Sequence, residues 1–250
     1  MAPRFDAVLF DLDNTLWHFN DAPPPRELAA LFAPRIQAMV EGWGQQASID
    51  YAELDLLLLE AEESALIRTM AADYREPDME QVVVRELEHH GVTATREQAR
   101  ELRLAMWPDP TVLQPRLFDD VLETLEALRS RGLLLAAVTN RSHGAAVLAE
   151  ELAHHGINDA FDAVVVAADI GWRKPHPAMV EHALAELQVS AERAVMIGDR
   201  VDRDIQAARA AGVTSVLARH PGMPKASIAG PHQQPDHQVR SMRELLDLID

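Results

Sequence analysis

Residues 5–16 read FDAVLFDLDNTL, and this stretch decides the fold. Ala7-Val8-Leu9-Phe10 is a short, uninterrupted apolar run, the pattern of a buried strand. It stops at two carboxylates, Asp11 and Asp13, one residue apart, and Asn14-Thr15 then favours a turn. In an open parallel α/β sheet, ligands bind just beyond the carboxyl ends of the strands. Two acidic groups crowded there repel each other unless a cation or a proton lies between them. Either aspartate alone reads as a helix cap or a turn residue. The pair, directly after a buried strand, points to metal-assisted chemistry, because unpaired carboxylates are costly.

Strand and helix patterns alternate again from Phe118 onward. Helix is expected over 119–131, 145–155, 179–187 and 205–211, each of the first, second and fourth closed by a glycine. Strands are expected over 133–138, 163–167, 194–197 and 214–218. A loop follows from His220 to Gln238, then a terminal helix over 241–249. The alternation implies a parallel sheet with right-handed crossovers. Between the two α/β stretches the pattern is helical. Four helices are expected, over 26–43, 51–74, 78–90 and 95–107, with a capping box from Thr95 to Gln98. The run Leu56 to Leu59 reads as a packed core face. Ala22-Pro23-Pro24-Pro25 and Pro108-Asp109-Pro110 are stiff connectors at either end of this block. The expected division is therefore a core of residues 1–18 with 112–250 and a helical insertion of residues 19–111.

The 250-residue chain is 48% hydrophobic, enough for one large core or two smaller ones. Its formal net charge of −17 disfavours nucleic acid and anionic membranes as partners. There is no cysteine, which removes disulfides and thiolate catalysis. No apolar stretch approaches a membrane span, and the first residues lack a signal-like pattern, so a cytoplasmic location is the default expectation. Trp17 reads as hinge packing. The pairs His89-His90 and His154-His155 fall at helix ends, where charge complements the helix dipole. The histidines of the 220–238 loop read as solvated rather than metal-bound.

Parallel strands all point one way. Chain direction alone therefore brings Asp11 and Asp13, Thr139 and Asn140, the loop carrying Lys174, and Asp199 to one rim of the sheet. Carboxylates suit a hard cation such as Mg²⁺, and a hydroxyl and an ammonium suit phosphoryl oxygens. Taken singly, each has an ordinary reading: a strand-end hydroxyl, a surface lysine, a turn aspartate. Arg173 reads as a solvated neighbour of Lys174.

FDLDNTL, VTN, the lysine of GWRKPHP and GDRVDRDIQAARAAG resemble, in order and spacing, the four motifs of the haloacid dehalogenase superfamily. The resemblance covers about residues 4–16 and 112–220, and the helical block resembles that family's four-helix cap. It implies an α/β fold: a Rossmann-like parallel-sheet core with an inserted four-helix cap domain. It also implies Asp11 as nucleophile and Asp13 as the group that protonates the leaving oxygen and then activates water. Mg²⁺ would be held by Asp11, the backbone carbonyl of Asp13, and Asp199. Thr139, Asn140 and Lys174 would grip the phosphate, with Asp204 as outer support or a further ligand and Asp202 a weaker candidate. The expected activity is Mg²⁺-dependent hydrolysis of a small phosphorylated metabolite through an aspartyl-phosphate. Competing readings are a 2-haloacid dehalogenase, a phosphomutase and a non-catalytic binding protein. Asp13 weighs against the dehalogenase, where no leaving group needs a proton. Three positions depart from the usual pattern: Asn14 where glycine is frequent, His176 where aspartate is common, and Arg200 where serine is frequent. Neither the particular substrate nor the oligomeric state is legible.

Overall fold

A computed structural model describes residues 4–108, 110–223, 228, 230 and 233–249. Residues 1–3, Asp109 of the second connector, positions 224–227, 229, 231 and 232 of the expected loop, and residue 250 lie outside the described residues. The chain divides into two compact units, Met1–Asn20 with Pro115–Asp250, and Asp21–Gln114.

The first unit contains eight strands among its described residues: β1 (Ala7–Phe10), β2 (Trp17–His18), β3 (Arg116–Leu117), β4 (Leu134–Thr139), β5 (Ala163–Val166), β6 (Ala194–Gly198), β7 (Thr214–Ala218) and β8 (His237–Val239). Six form one parallel sheet in the order β5-β4-β1-β6-β7-β8. The opening motif is thus a central strand, with Phe10 in register with Ala137 on one side and Ile197 on the other. Successive side chains of a strand face opposite sides of its sheet. Val8 and Phe10 accordingly join one apolar cluster with Leu135, Ile197, Leu148 and Leu245. Ala7 and Leu9 join the other, with Val138, Met196, Met179 and Ala207. The helices Val121–Ser130, Ala145–His154 and Glu244–Ile249 supply the first cluster, and Ala178–Leu187 and Gln206–Ala210 the second. Burial on both faces explains why β1 reads as an unbroken apolar run rather than an alternating one.

Three differences from the expected elements have local causes. The expected helix over 205–211 begins with a π-helical turn, Val201–Ile205, in which Ile205 N donates to Arg200 O, before continuing as Gln206–Ala210. Strand β8 overlaps the end of the expected loop and pairs Val216 with His237 through Ala218 with Val239. Two-residue β2 and β3 form an antiparallel ladder, Trp17 with Leu117 and His18 with Arg116, too short for any periodicity to signal.

In the second unit the described helices are Pro25–Gly42, Tyr51–Met70, Met79–His89 and Arg96–Met106, with a single turn at Pro110–Leu113. Asp50 caps the second by accepting from the Ala52 and Glu53 amides, and Thr95 and Gln98 form the expected capping box. Ile36, Val40, Leu54, Leu58, Val83, Leu87 and Leu102 make the core. Only part of the Leu56 to Leu59 run enters it: Leu58 is buried, whereas Leu59 is 43% exposed. Buried Arg103 donates to Glu62 at 2.7 Å and to Glu80 at 3.2 Å. Among the described residues, no helix is long and apolar enough to cross a membrane.

Candidate active site

The ends of β1, β4 and β6 and the segment after β5 meet around a cavity of about 490 Å³. Asp11, Asp13, Thr139, Asn140, Lys174, Asp199 and Asp204 all line it. Five carboxylates and three cations face this space, the others being Asp202, Arg200 and Arg203.

Asp11 follows β1 directly, and its amide donates to Ile197 O at 2.9 Å, which carries the sheet one residue further. Its carboxylate is buried. Oδ1 accepts from Lys174 Nζ at 2.6 Å and Oδ2 from Thr15 Oγ1 at 3.0 Å. The backbone then turns through Asn14 at φ +62°, the left-handed region where glycine and asparagine are tolerated. That geometry accounts for asparagine at a position where glycine is frequent.

Lys174 is 2% exposed, and three acceptors surround its ammonium: Asp11 Oδ1, Asp204 Oδ1 at 2.7 Å and Val138 O at 2.6 Å. Burial works against its charge, but Asp11 and Asp204 outweigh that and raise its pKa. Asn140 holds the lysine from behind. Its Nδ2 donates to Lys174 O at 3.0 Å, and its Oδ1 accepts from Lys174 N at 2.7 Å. Thr139 ends β4 and is buried. Arg173, expected to be solvated, is buried instead, donating to Ser142 Oγ at 3.0 Å and to Asn140 O. Its long side chain ties the lysine segment to the residues after β4. His176 accepts from the Ala178 amide at 3.2 Å and stacks on Trp172, the kind of turn capping an aspartate also performs.

Asp199 follows β6, and oxygens of Asp11, Asp199 and Asp204 lie within 4.8 Å of one another. Asp204 arrives from the π-helical turn. Its Oδ2 accepts from the Arg200 amide at 2.9 Å, and a Cβ at Gly198 would overlap its carboxyl group. Glycine at 198 thus permits the close approach. Burial, then the charge of Asp204, pushes Asp11 up to about 6 against the opposing pull of Lys174. Burial, then Asp11 and Asp204, pushes Asp199 up to about 8. Three crowded carboxylates balanced by one ammonium form a hard-oxygen donor set fitted to a divalent cation. Asp202 and Arg200 pair with each other, Nε to Oδ1 at 3.0 Å and Nη2 to Oδ2 at 2.9 Å.

The Asp13 carboxylate is engaged elsewhere. It accepts from Trp17 Nε1 at 3.0 Å and twice from Arg141, which also pairs with buried Glu151. The sequence reading missed Arg141 and Glu151. Adjacency to Thr139 and Asn140 was the available sign for Arg141, while Glu151, ten residues on, gave none. Burial works against the charge of Arg141, and the two carboxylates overcome it and raise its pKa.

Two histidine expectations are corrected. His220 is buried: Nε2 lies 2.8 Å from Thr15 O, and the ring stacks on Phe118 at 3.5 Å. His155 stacks on Trp17 at 4.9 Å. Burial, then His154, pushes His155 down to about 4, so it is neutral at pH 7 and offers the helix dipole no charge.

The structure is an open parallel α/β sheet with a cluster of carboxylates gathered at its strand ends. The chain belongs to the haloacid dehalogenase-like hydrolase family, whose model matches residues 5–212. It is 31% identical to a glyceraldehyde 3-phosphate phosphatase from Methanopyrus kandleri, over 97% of this chain and 96% of that protein. It is 28% identical to a ribulose-1,5-bisphosphate 5-phosphatase from Halopiger xanaduensis, over 97% and 98% respectively. The solved 2-haloacid dehalogenase from Pseudomonas syringae pv. Tomato shares the fold, with a TM-score of 0.65 at 24% identity, over 98% of this chain and 97% of that one.

Proposed function

We propose that this chain is a Mg²⁺-dependent phosphatase acting on a small phosphomonoester. The observation that carries the reading is the buried Asp11 carboxylate, 2.6 Å from Lys174 Nζ, with Asp199 and Asp204 close enough to share a cation. A phosphate dianion entering a protein of net charge −17 needs local positive charge. Lys174 supplies part of it, and a bound Mg²⁺ would supply the rest by neutralising charge on the phosphoryl oxygens. Asp11, Asp199, the Asp13 carbonyl and Asp204 are the groups assigned to hold that ion.

Asp11 attacks phosphorus and forms an acyl phosphate, while Asp13 gives its proton to the departing ester oxygen. Water then attacks phosphorus, its proton passes to Asp13, and the bond from Asp11 to phosphorus breaks. Thr139 orients the phosphate through its hydroxyl. Asn140 acts chiefly by fixing the main chain of Lys174. The helical unit, residues 21–114, is assigned the choice of substrate, as a cap inserted between the first two motifs. The named activities of the two phosphatase relatives place three- and five-carbon sugar phosphates first among substrates to try.

The test is phosphate release from 4-nitrophenyl phosphate by the metal-free chain with and without Mg²⁺. Activity should require Mg²⁺, vanish with EDTA, and be lost in Asp11→Asn. Full turnover in metal-free buffer would reject the metal assignment.

A further inference from the structure

Three hydrogen bonds from two side chains order the Asp13 carboxylate at the cavity wall. Arg141 Nε donates to Oδ2 at 2.8 Å and Nη2 to Oδ1 at 2.7 Å. Trp17, fully buried, adds a third hydrogen bond to Oδ1. The same guanidinium is held by Glu151, with Nη1 donating to Oε1 at 2.9 Å and Nη2 to Oε2 at 2.8 Å. Glu151 belongs to the helix Ala145–His154, whose apolar side is packed into the sheet core through Leu148 and Leu152. Arg141 is therefore gripped by a rigid element on one side while it grips Asp13 on the other. The Arg141–Glu151 pair is formally neutral, so it can orient a carboxylate without adding net charge to the site.

An ionised carboxylate offers about four lone-pair positions. Trp17 Nε1 and Arg141 Nη2 occupy two on Oδ1 and Arg141 Nε one on Oδ2, which among the described residues leaves one position on Oδ2. We infer that Arg141, anchored by Glu151, is the positioning residue for the proton carrier: it locks the plane of the Asp13 carboxylate and makes Oδ2 the atom through which the proton passes. This inference rests on the phosphatase reading above. In the first half-reaction the proton on Oδ2 moves to the ester oxygen as its bond to phosphorus breaks. In the second, a proton of the attacking water returns to Oδ2.

The test compares leaving groups, because kcat/KM reports events up to departure of the alcohol. An alkyl phosphate needs a proton on its leaving oxygen, whereas 4-nitrophenolate leaves without one. Arg141→Met should lower kcat/KM for an alkyl phosphate by about 10- to 100-fold, part of the range that general acid catalysis supplies. For 4-nitrophenyl phosphate the loss should stay below about fivefold, with KM for both esters changed less than about threefold. In the Asp13→Asn background, Arg141→Met should add less than about threefold, since the two act as a unit. Arg141→Met leaves a buried carboxylate without its partner, so Arg141→Met with Glu151→Gln is measured beside it, together with Arg141→Lys. All should show the same leaving-group pattern, with Arg141→Lys the mildest. Equal losses on both esters, additive losses in the Asp13→Asn background, or a rise in KM with kcat unchanged would overturn the inference. A wild-type chain that releases no phosphate from either ester would instead overturn the phosphatase reading, and this inference with it.

Discussion

Asp55 offers a test of the energetics that is independent of the active site. It lies in the helix Tyr51–Met70 and is 1% exposed, beside Leu54 and Leu58 of the helical core. Among the described residues its Oδ1 has no hydrogen-bond partner. Burial pushes its pKa from 3.8 up to about 6. The folded-state value lies above the unfolded one, so ionisation opposes folding. The cost is absent well below pH 4, grows as the pH rises to about 6, and is constant above that. A rise of about two units corresponds to roughly 3 kcal/mol at most, and screening and local relaxation reduce that to about 1.5–2 kcal/mol. Between pH 4.5 and 7.5 about two-thirds of this should develop, or about 1 kcal/mol. Asp55→Asn removes the titration while keeping the side-chain shape. Urea unfolding of both proteins at pH 4.5 and 7.5, followed by circular dichroism, isolates the effect, because other titrating groups cancel in the difference. The stability of Asp55→Asn relative to wild type should improve by about 1 kcal/mol at the higher pH. Differences that stay constant with pH would show that Asp55 is not ionised against a burial penalty.

Binding of Mg²⁺ should release protons, because burial and mutual repulsion raise Asp11 to about 6 and Asp199 to about 8 in the metal-free chain. Calorimetric titration at pH 7 in buffers of different ionisation enthalpy should show roughly one proton released, falling toward zero well above pH 8; heat independent of buffer would contradict the assigned ligands. Replacing residues 21–114 with a short linker should preserve hydrolysis of a small aryl phosphate while flattening discrimination among metabolite phosphates. A truncated chain that folds and keeps full selectivity would show that the insertion does not choose the substrate.

Residues whose position follows from chain direction were legible before the structure. A strand that ends in Asp11, another that ends in Thr139 and a third that leads to Asp199 must deliver those groups to one rim once the sheet is parallel. Helix limits were legible where capping chemistry is local, as at Thr95 and Gln98. Partnerships made across the fold were not. The Arg141 bond to Asp13 spans 128 residues, and the Lys174 bond to Asp11 spans 163. Chain direction put the second pair on one rim of the sheet, but neither bond was anticipated. Buried polar side chains were misread for the same reason. Arg173 and His220 carry polar labels in the sequence, but their stems and rings are covered by neighbours that only folding brings together.

One short turn sets the two aspartates of the opening motif in two different environments. Leu12 between them is fully buried, which pins the segment, and the left-handed turn at Asn14 follows at once. Asp11 is left with one lysine, one hydroxyl and two neighbouring carboxylates, an environment that suits the nucleophile and cation-binding roles proposed for it. Asp13 is left with a tryptophan N–H and an arginine whose charge is matched by Glu151. Displacement of halide from carbon needs no proton delivered to the leaving group. A phosphate ester, by contrast, requires a proton to be given to its leaving oxygen, and Asp13, held by three donors at the cavity wall, is the group proposed to give it and take it back. The arrangement around Asp13, more than the Asp11 carboxylate, is what favours the proposed phosphate-ester hydrolysis over halide displacement.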